Sequence, residues 1–344
     1  MSPRSIDYDT YYGKHCARFY GWLPAAKDHK SKIQKSPKYF TLCGAQAIDV
    51  FMFEHERVLT RDKNNKLPNV IVCEDMEDAW IEILRVVRPP VDEAVILGKL
   101  QDILTFEDDE DTRDRSPDED EPDFRIRQKL IIKGKFEQVK KHFPFDIINF
   151  DPCEGLVDSD LEANKLYQAF KRIFELQKST NGFLLFVNSD ITDIHSNVQS
   201  RFRSDFESNV SKYPNIRDTL LSDGITTYDK IDDENKRKAV GFAKSIVMSA
   251  ARSEGWNCEH QGVYIYEYEP GGTKMLSLVV KLSKTQNKPD EATYVQDVIR
   301  IIKSMPNYYP YQEYNEVSAE DKVKEHLEKV KKYREQVRKE YAQE

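Results

Sequence analysis

Three short stretches of this 344-residue chain carry residue types that could hold or transform a ligand. "FDIINFDPCEG" (145–155) runs an apolar segment into Asp151, Pro152 and Cys153, which supply an acceptor carboxylate, a ring that fixes the backbone, and a thiol. "NVIVCED" (69–75) ends on Glu74 and Asp75, and a carboxylate at a strand end can accept both hydroxyl hydrogens of a ribose. "YFTLCGAQA" (39–47) brings Cys43, Gly44, Ala45 and Gln46 between a strand and a helix. Gly44 lets backbone approach a ligand closely, and the amides after it open a helix N-terminus. Plainer roles exist for the same residues: Asp75 and Asp151 are also good helix N-caps, and Cys153 also reads as a small half-buried thiol.

The elements that would position them follow from periodicity. Apolar runs bounded by polar turns predict parallel strands over 39–44, 69–75, 127–136, 145–151 and 182–190, separated by helical patterns. "VDEAVILGKLQDILTF" (91–106) scans as an amphipathic helix, and 191–255 as a polar helical region. "GVYIYEYE" and "MLSLVVKLS" flank "PGGTK" and predict a β-hairpin. The fold class expected is α/β: a doubly wound, seven-stranded, mostly parallel sheet with a C-terminal antiparallel hairpin and helical extensions. The chain divides into a basic, aromatic N-terminal arm (1–38), a Rossmann-like domain (39–284) with an acidic, disordered insertion (107–124), and a C-terminal helical extension (285–344). In that extension Val323, Leu327, Val330, Val337 and Tyr341 fall near a 3.5-residue repeat, broken by Arg334. It reads as a solvated helix with a narrow apolar stripe, with a short coiled coil as the alternative.

Composition narrows the class. A net charge of −8 excludes a uniformly basic nucleic-acid coat, though a local basic groove remains open. Five cysteines without a CxxC pair, and seven scattered histidines, predict neither a disulfide framework nor a metal site. No long apolar run marks a leader or a membrane span, so a cytoplasmic location without membrane contact is expected. No Gly-x-Gly-x-x-Gly or Walker loop occurs, which disfavours a dehydrogenase or a P-loop enzyme.

Strand–helix units closed by an antiparallel hairpin are the layout of the class I S-adenosylmethionine-dependent methyltransferases, and residues 39–284 resemble that family. "FDIINFDPCEG" is similar to the acid–proline strand end of class I enzymes that methylate exocyclic amines. The likeness is to the Asp-Pro-aromatic-Gly version of tRNA guanine-amine dimethyltransferases and of the partner proteins of three-Cys-motif systems. The resemblance implies S-adenosylmethionine as cofactor, held by Cys43, Gly44, Ala45, Gln46, Glu74 and Asp75, with Phe136 against the adenine face. It implies catalytic positions at Asp151, Pro152 and Cys153, where Asp151 positions the amine and Pro152 stiffens the loop. Cytosine-5 methyltransferases set a nucleophilic cysteine after this proline, and "QSRFR" (199–203) mimics one of their elements. That element arrives too soon after Cys153, and the acid that should protonate the ring is missing.

The expected reaction is methyl transfer to an amine of a nucleobase, hence a nucleic-acid substrate. The arm supports it, since residues 15–40 combine aromatic residues with Lys27, Lys30, Lys32, Lys35 and Lys38. The alternative is a catalytically inactive adaptor on the same scaffold, motivated by the glycine-poor first loop, by Lys135 where an aspartate is common, and by the charged terminal helix. That helix would then carry a protein partner or self-association.

Overall fold

The computed structural model describes residues 12–341 apart from 45, 89–93, 107–119, 153–154, 158–159, 232, 268–271, 285–290, 305 and 310–320. Five parallel strands form one half of the sheet: β1 (Tyr39–Thr41), β2 (Val70–Glu74), β3 (Val95–Leu97), β4 (Ile147–Phe150) and β5 (Gly182–Asp190). The hairpin strands β6 (Trp256–Glu267) and β7 (Lys274–Lys284) follow, and β8 (Asn307–Tyr309) pairs parallel to β6. The order is β3-β2-β1-β4-β5-β7-β6-β8, and β7 alone runs against its neighbours. The protein is therefore mixed α/β with an eight-stranded, mostly parallel sheet rather than a seven-stranded one.

Two expectations exchange places. The predicted third strand (127–136) lies inside the helix α6 (Asp120–Lys140), and β3 comes instead from within the predicted helix 91–106. The run "KLII" misleads because Leu130 and Ile131 are 61% and 55% exposed, while Phe136 and Val139 share the buried side of a helix. A strand of three residues is too short to print a period of two. The acidic insertion lies outside the described residues over 107–119, and Asp120 already belongs to α6.

Alternating strand residues feed two cores. Phe40, Ile148, Phe150, Phe183, Leu185 and Val187 face one core, which the helices α5 (Leu100–Leu104), α7 (Lys165–Leu176) and α8 (Ser196–Lys212) help to close. On α7, Leu166, Phe170 and Ile173 keep the helical spacing, and Asn164 caps the helix by accepting the Tyr167 amide hydrogen. Ile147, Leu184, Phe186, Tyr264, Met275 and Val279 face the second core. Over it lie the helices α1 (Tyr12–Ala17), α2 (Leu23–Ile33), α3 (Ile48–His55), α4 (Glu77–Val87) and α13 (Asp321–Tyr341), the last of these following α9 (Pro214–Ser222), α10 (Glu234–Phe242), α11 (Ser249–Ser253) and α12 (Glu291–Lys303) in the chain. Neither a solvated tail nor a coiled coil results, because Val323, Leu327, Val330 and Val337 are all buried within the chain.

Between α1 and α2 the helix widens into a π turn, Arg18–Trp22. Lys14 and Trp22 are eight positions apart, which in a regular helix of 3.6 residues per turn would set them roughly 80° apart. The residue absorbed by the π turn brings them close to one face. Gly13 and Gly21 show the same alignment: a Cβ on either would lie 2.5 Å from a side-chain carbon of Tyr266 or Tyr264, both on β6. The N-terminal helix can lie this close to the sheet only with glycine there. Among the described residues, no helix is long and apolar enough to cross a membrane.

Candidate functional site

Parallel strands end together, so Gly44, Glu74 and Asp151 come to one edge of the sheet. Gly44 lies just past β1, Glu74 closes β2, Asp151 follows β4, and β1 sits between the other two. This carboxyl edge is where open α/β sheets bind ligands.

Glu74 is half-buried, and its Oε1 accepts the amide hydrogens of Asp75 (3.1 Å) and Met76 (3.0 Å). Burial, reinforced by the neighbouring Asp75 carboxylate, pushes the Glu74 carboxyl up to about 7. Asp75 is exposed. Cys73 is buried beneath Glu74 and donates to the Gly98 carbonyl at 3.2 Å, and burial raises its thiol pKa far above the ordinary value.

The first loop is shaped from several sides. The Ala47 amide donates to the Gly44 carbonyl at 2.8 Å, and Ala47 has a positive φ of 46° as it opens α3. Gln46 presents its carbonyl to Arg334 Nε of α13 at 2.9 Å, and the same guanidinium reaches Glu82 on α4. Cys43 is buried and Gly44 exposed, and Ala45 lies outside the described residues. Beneath the loop, the Asp49 carboxylate, fully buried in the first turn of α3, accepts from Tyr39, Thr41 (2.6 Å) and Asn149 (3.3 Å), tying β1, β4 and α3 together.

Asp151 is buried, and its Oδ2 accepts from the Lys14 ammonium at 2.8 Å, each side chain being 2% exposed. Continuing the β4–β5 register past Phe150–Val187 sets Asp151 beside Asn188, which pairs with Ser277 of β7. Ser277 in turn accepts the Trp22 indole hydrogen at 3.0 Å, and that ring stacks on Phe186. Asn188 is completely buried, yet neither its amide nitrogen nor its oxygen meets a hydrogen-bond partner among the described residues. One carboxylate oxygen of Asp49 and the amide oxygen of Asn149 are in the same position. Buried polar atoms of this kind are uncommon, and each calls for a water, an ion or a functional role.

The sequence-derived set is therefore brought together in part. Pro152 is half-buried beside Asp151, and Cys153 lies outside the described residues. Phe136 does not stand at a strand end: it sits on α6, is 5% exposed, and packs on Phe106 (ring centroids 6.2 Å apart). The misplaced third strand is the cause. Its neighbour Lys135 does approach the edge, its ammonium lying 3.4 Å from where a Cβ on Gly98 would stand. Sequence reasoning missed Lys14, Asp49, Asn149, Asn188 and Arg334. Asn149 and Asn188 did carry a signal, as polar residues inside otherwise apolar strands.

Neither the curated proteins nor the solved structures hold a match to this chain. A family model described as PP_RS20740-like matches residues 133–343, more than half the sequence. The matched stretch contains Asp151, Asn188 and Arg334 and leaves out the strands ending at Gly44 and Glu74. The chain belongs to the PP_RS20740-like family.

Proposed function

We propose that the protein transfers a methyl group from S-adenosylmethionine to an amine of a nucleobase. The observation that carries this reading is Glu74, a burial-perturbed carboxylate at the end of β2, one strand from Gly44 and two from Asp151. The strand order, with β7 inserted antiparallel between β5 and β6, is that of the resembled class I enzymes and supports it. The partnerless polar atoms of Asn188, Asn149 and Asp49 fit a polar ligand along the same edge.

On this reading Glu74 accepts the ribose hydroxyls, and the main chain of 44–47 lies along the rest of the cofactor, braced by Arg334 through Gln46. When bound, S-adenosylmethionine supplies an electrophilic methyl on a cationic sulfur. The transfer removes that charge, so alignment and exclusion of water matter more than a strong base. The Asp151 side chain is engaged by Lys14, so the amine acceptors nearest the transfer are the strand-end carbonyls at 151–152 and the Asn188 amide oxygen. Lys27 and Lys32, about half exposed on α2, are suited to phosphate contacts of a single strand.

Calorimetric titration with S-adenosylhomocysteine tests the reading: sub-millimolar binding is expected, and no heat at millimolar ligand overturns it. Glu74→Gln is expected to weaken binding by about 10–100-fold, the loss of two hydrogen bonds to a charged acceptor. Only the ionised carboxylate accepts both hydroxyls. Affinity should therefore rise as pH climbs through about 7, and Glu74→Gln should flatten that profile. The free fold responds with the opposite sign. A carboxyl raised above its ordinary value holds its proton more tightly when folded, so the stability it contributes is lost as pH rises through about 7.

The second reading, a catalytically inactive adaptor, draws on the Lys14–Asp151 pair, which occupies the carboxylate expected at the amine. Binding of S-adenosylhomocysteine without methylation of any nucleic-acid pool would favour it.

A further inference from the structure

The helices over the second core bring together residues that lie far apart in sequence. His55 ends α3, Glu56 follows it, and His326 comes from the first half of α13. The Glu56 Oε1 lies 3.2 Å from His55 Nδ1 and 3.1 Å from His326 Nε2, and all three atoms fall within 4.8 Å of one another. We propose that His55, Glu56 and His326 form a divalent metal site of the zinc class, which fastens the C-terminal helix to α3.

Two imidazoles and a carboxylate are one of the ligand sets zinc takes when three ligands come from protein and the fourth position is left to water. With bonds of about 2.0–2.2 Å, ligand atoms around a tetrahedral ion stand roughly 3.3–3.5 Å apart. The two observed separations are already close to that. The histidine nitrogens lie no more than 4.8 Å apart and close the difference by rotation of the His55 ring, whose side chain is 31% exposed. Glu56 is 22% exposed, so the fourth position opens to solvent.

The His326 ring is held from its other side as well. The other ring nitrogen of His326, Nδ1, lies 3.2 Å from Nε2 of the fully buried His15 on α1, and the two rings stack with centroids 5.4 Å apart. A partner on the distal nitrogen fixes the tautomer and the ring plane of a ligating histidine. One competing contact has to give way. Lys27 Nζ lies 2.6 Å from Glu56 Oε2, but this is the oxygen that faces away from the histidines, and the lysine is 48% exposed. Such a pair is screened by water and yields readily.

The test uses the full chain, stripped with chelator and titrated with Co²⁺ alone. Expected are the intense visible d–d bands of a tetrahedral ion, saturating near about one equivalent per chain and bleached by added Zn²⁺. Zn²⁺ should also raise the thermal midpoint relative to the chelated protein. His55→Ala and Glu56→Gln change side chains that are only partly buried and should each weaken Co²⁺ affinity at least about tenfold. His326→Gln should abolish it. Bands that never develop overturn the site, as does binding that is unchanged in His55→Ala and Glu56→Gln. Should His326→Gln fail to fold, those two variants decide alone.

Discussion

Lys14→Met is expected to destabilise the protein by about 3–5 kcal/mol, the cost of removing one partner from a buried ion pair. Met keeps the length of the side chain and lies apolar against the sheet, so the loss comes from the Asp151 carboxylate left in a nearly dry site. Urea unfolding followed by far-UV circular dichroism measures it, through the midpoint at constant slope. The double change Lys14→Met with Asp151→Leu should recover most of the loss, because two apolar groups of matching volume are often as stable as the pair they replace. A midpoint unmoved in Lys14→Met would show that the ammonium does not hold Asp151. The recovery separates the electrostatic cause from damage to packing.

Deleting residues 321–344 is the second change with a large effect. Val323, Leu327 and Val330 are fully buried, and Val337 is 4% exposed. At about 1.5–3 kcal/mol for each buried aliphatic side chain, the helix contributes on the order of 6–12 kcal/mol. That rivals the total stability of an ordinary domain, about 5–15 kcal/mol. Deletion also takes Tyr333 off the Phe51 ring on α3, the two ring centroids standing 6.4 Å apart, and strips Arg334 from the Gln46 carbonyl. The shortened chain should lose cooperative unfolding and aggregate on size exclusion. A truncated chain that stays monodisperse and melts as sharply as the whole would mean that α13 is an appendage. The same logic bears on self-association: the apolar stripe that would serve it is spent inside the chain.

What could be read from sequence follows physical range. The strands at 147–150 and 182–190 were legible because a strand covered on both faces writes an uninterrupted apolar run, and their polar ends mark the carboxyl edge of the sheet. Glu74 and Asp151 were legible for the same reason. The third strand was not. "VIL" is too short to carry a period, and the apolar stretch at 130–132 is largely a solvent-facing side of a helix. Phe136 was lost with that assignment. Lys14 falls within the basic arm of the sequence, and nothing local tells a lysine which carboxylate it will meet across 137 positions. Arg334 was seen only as the break in an apolar repeat, although that break reaches the first loop. Histidines scattered along the chain gave no hint that two of them share one carboxylate.

The π turn at Arg18–Trp22 makes the spacing of the N-terminal helix a matter of phase as well as of residue type. Removing one residue there, even Tyr20, which is 37% exposed, would let the turn relax to ordinary pitch and rotate everything before it by roughly a quarter of a turn. Gly13 would swing off Tyr266 and the ammonium at 14 would point away from its carboxylate, although neither residue had been altered. Along this helix a one-residue deletion is a heavier lesion than most substitutions, so related chains that keep the same contacts must keep the same count between them.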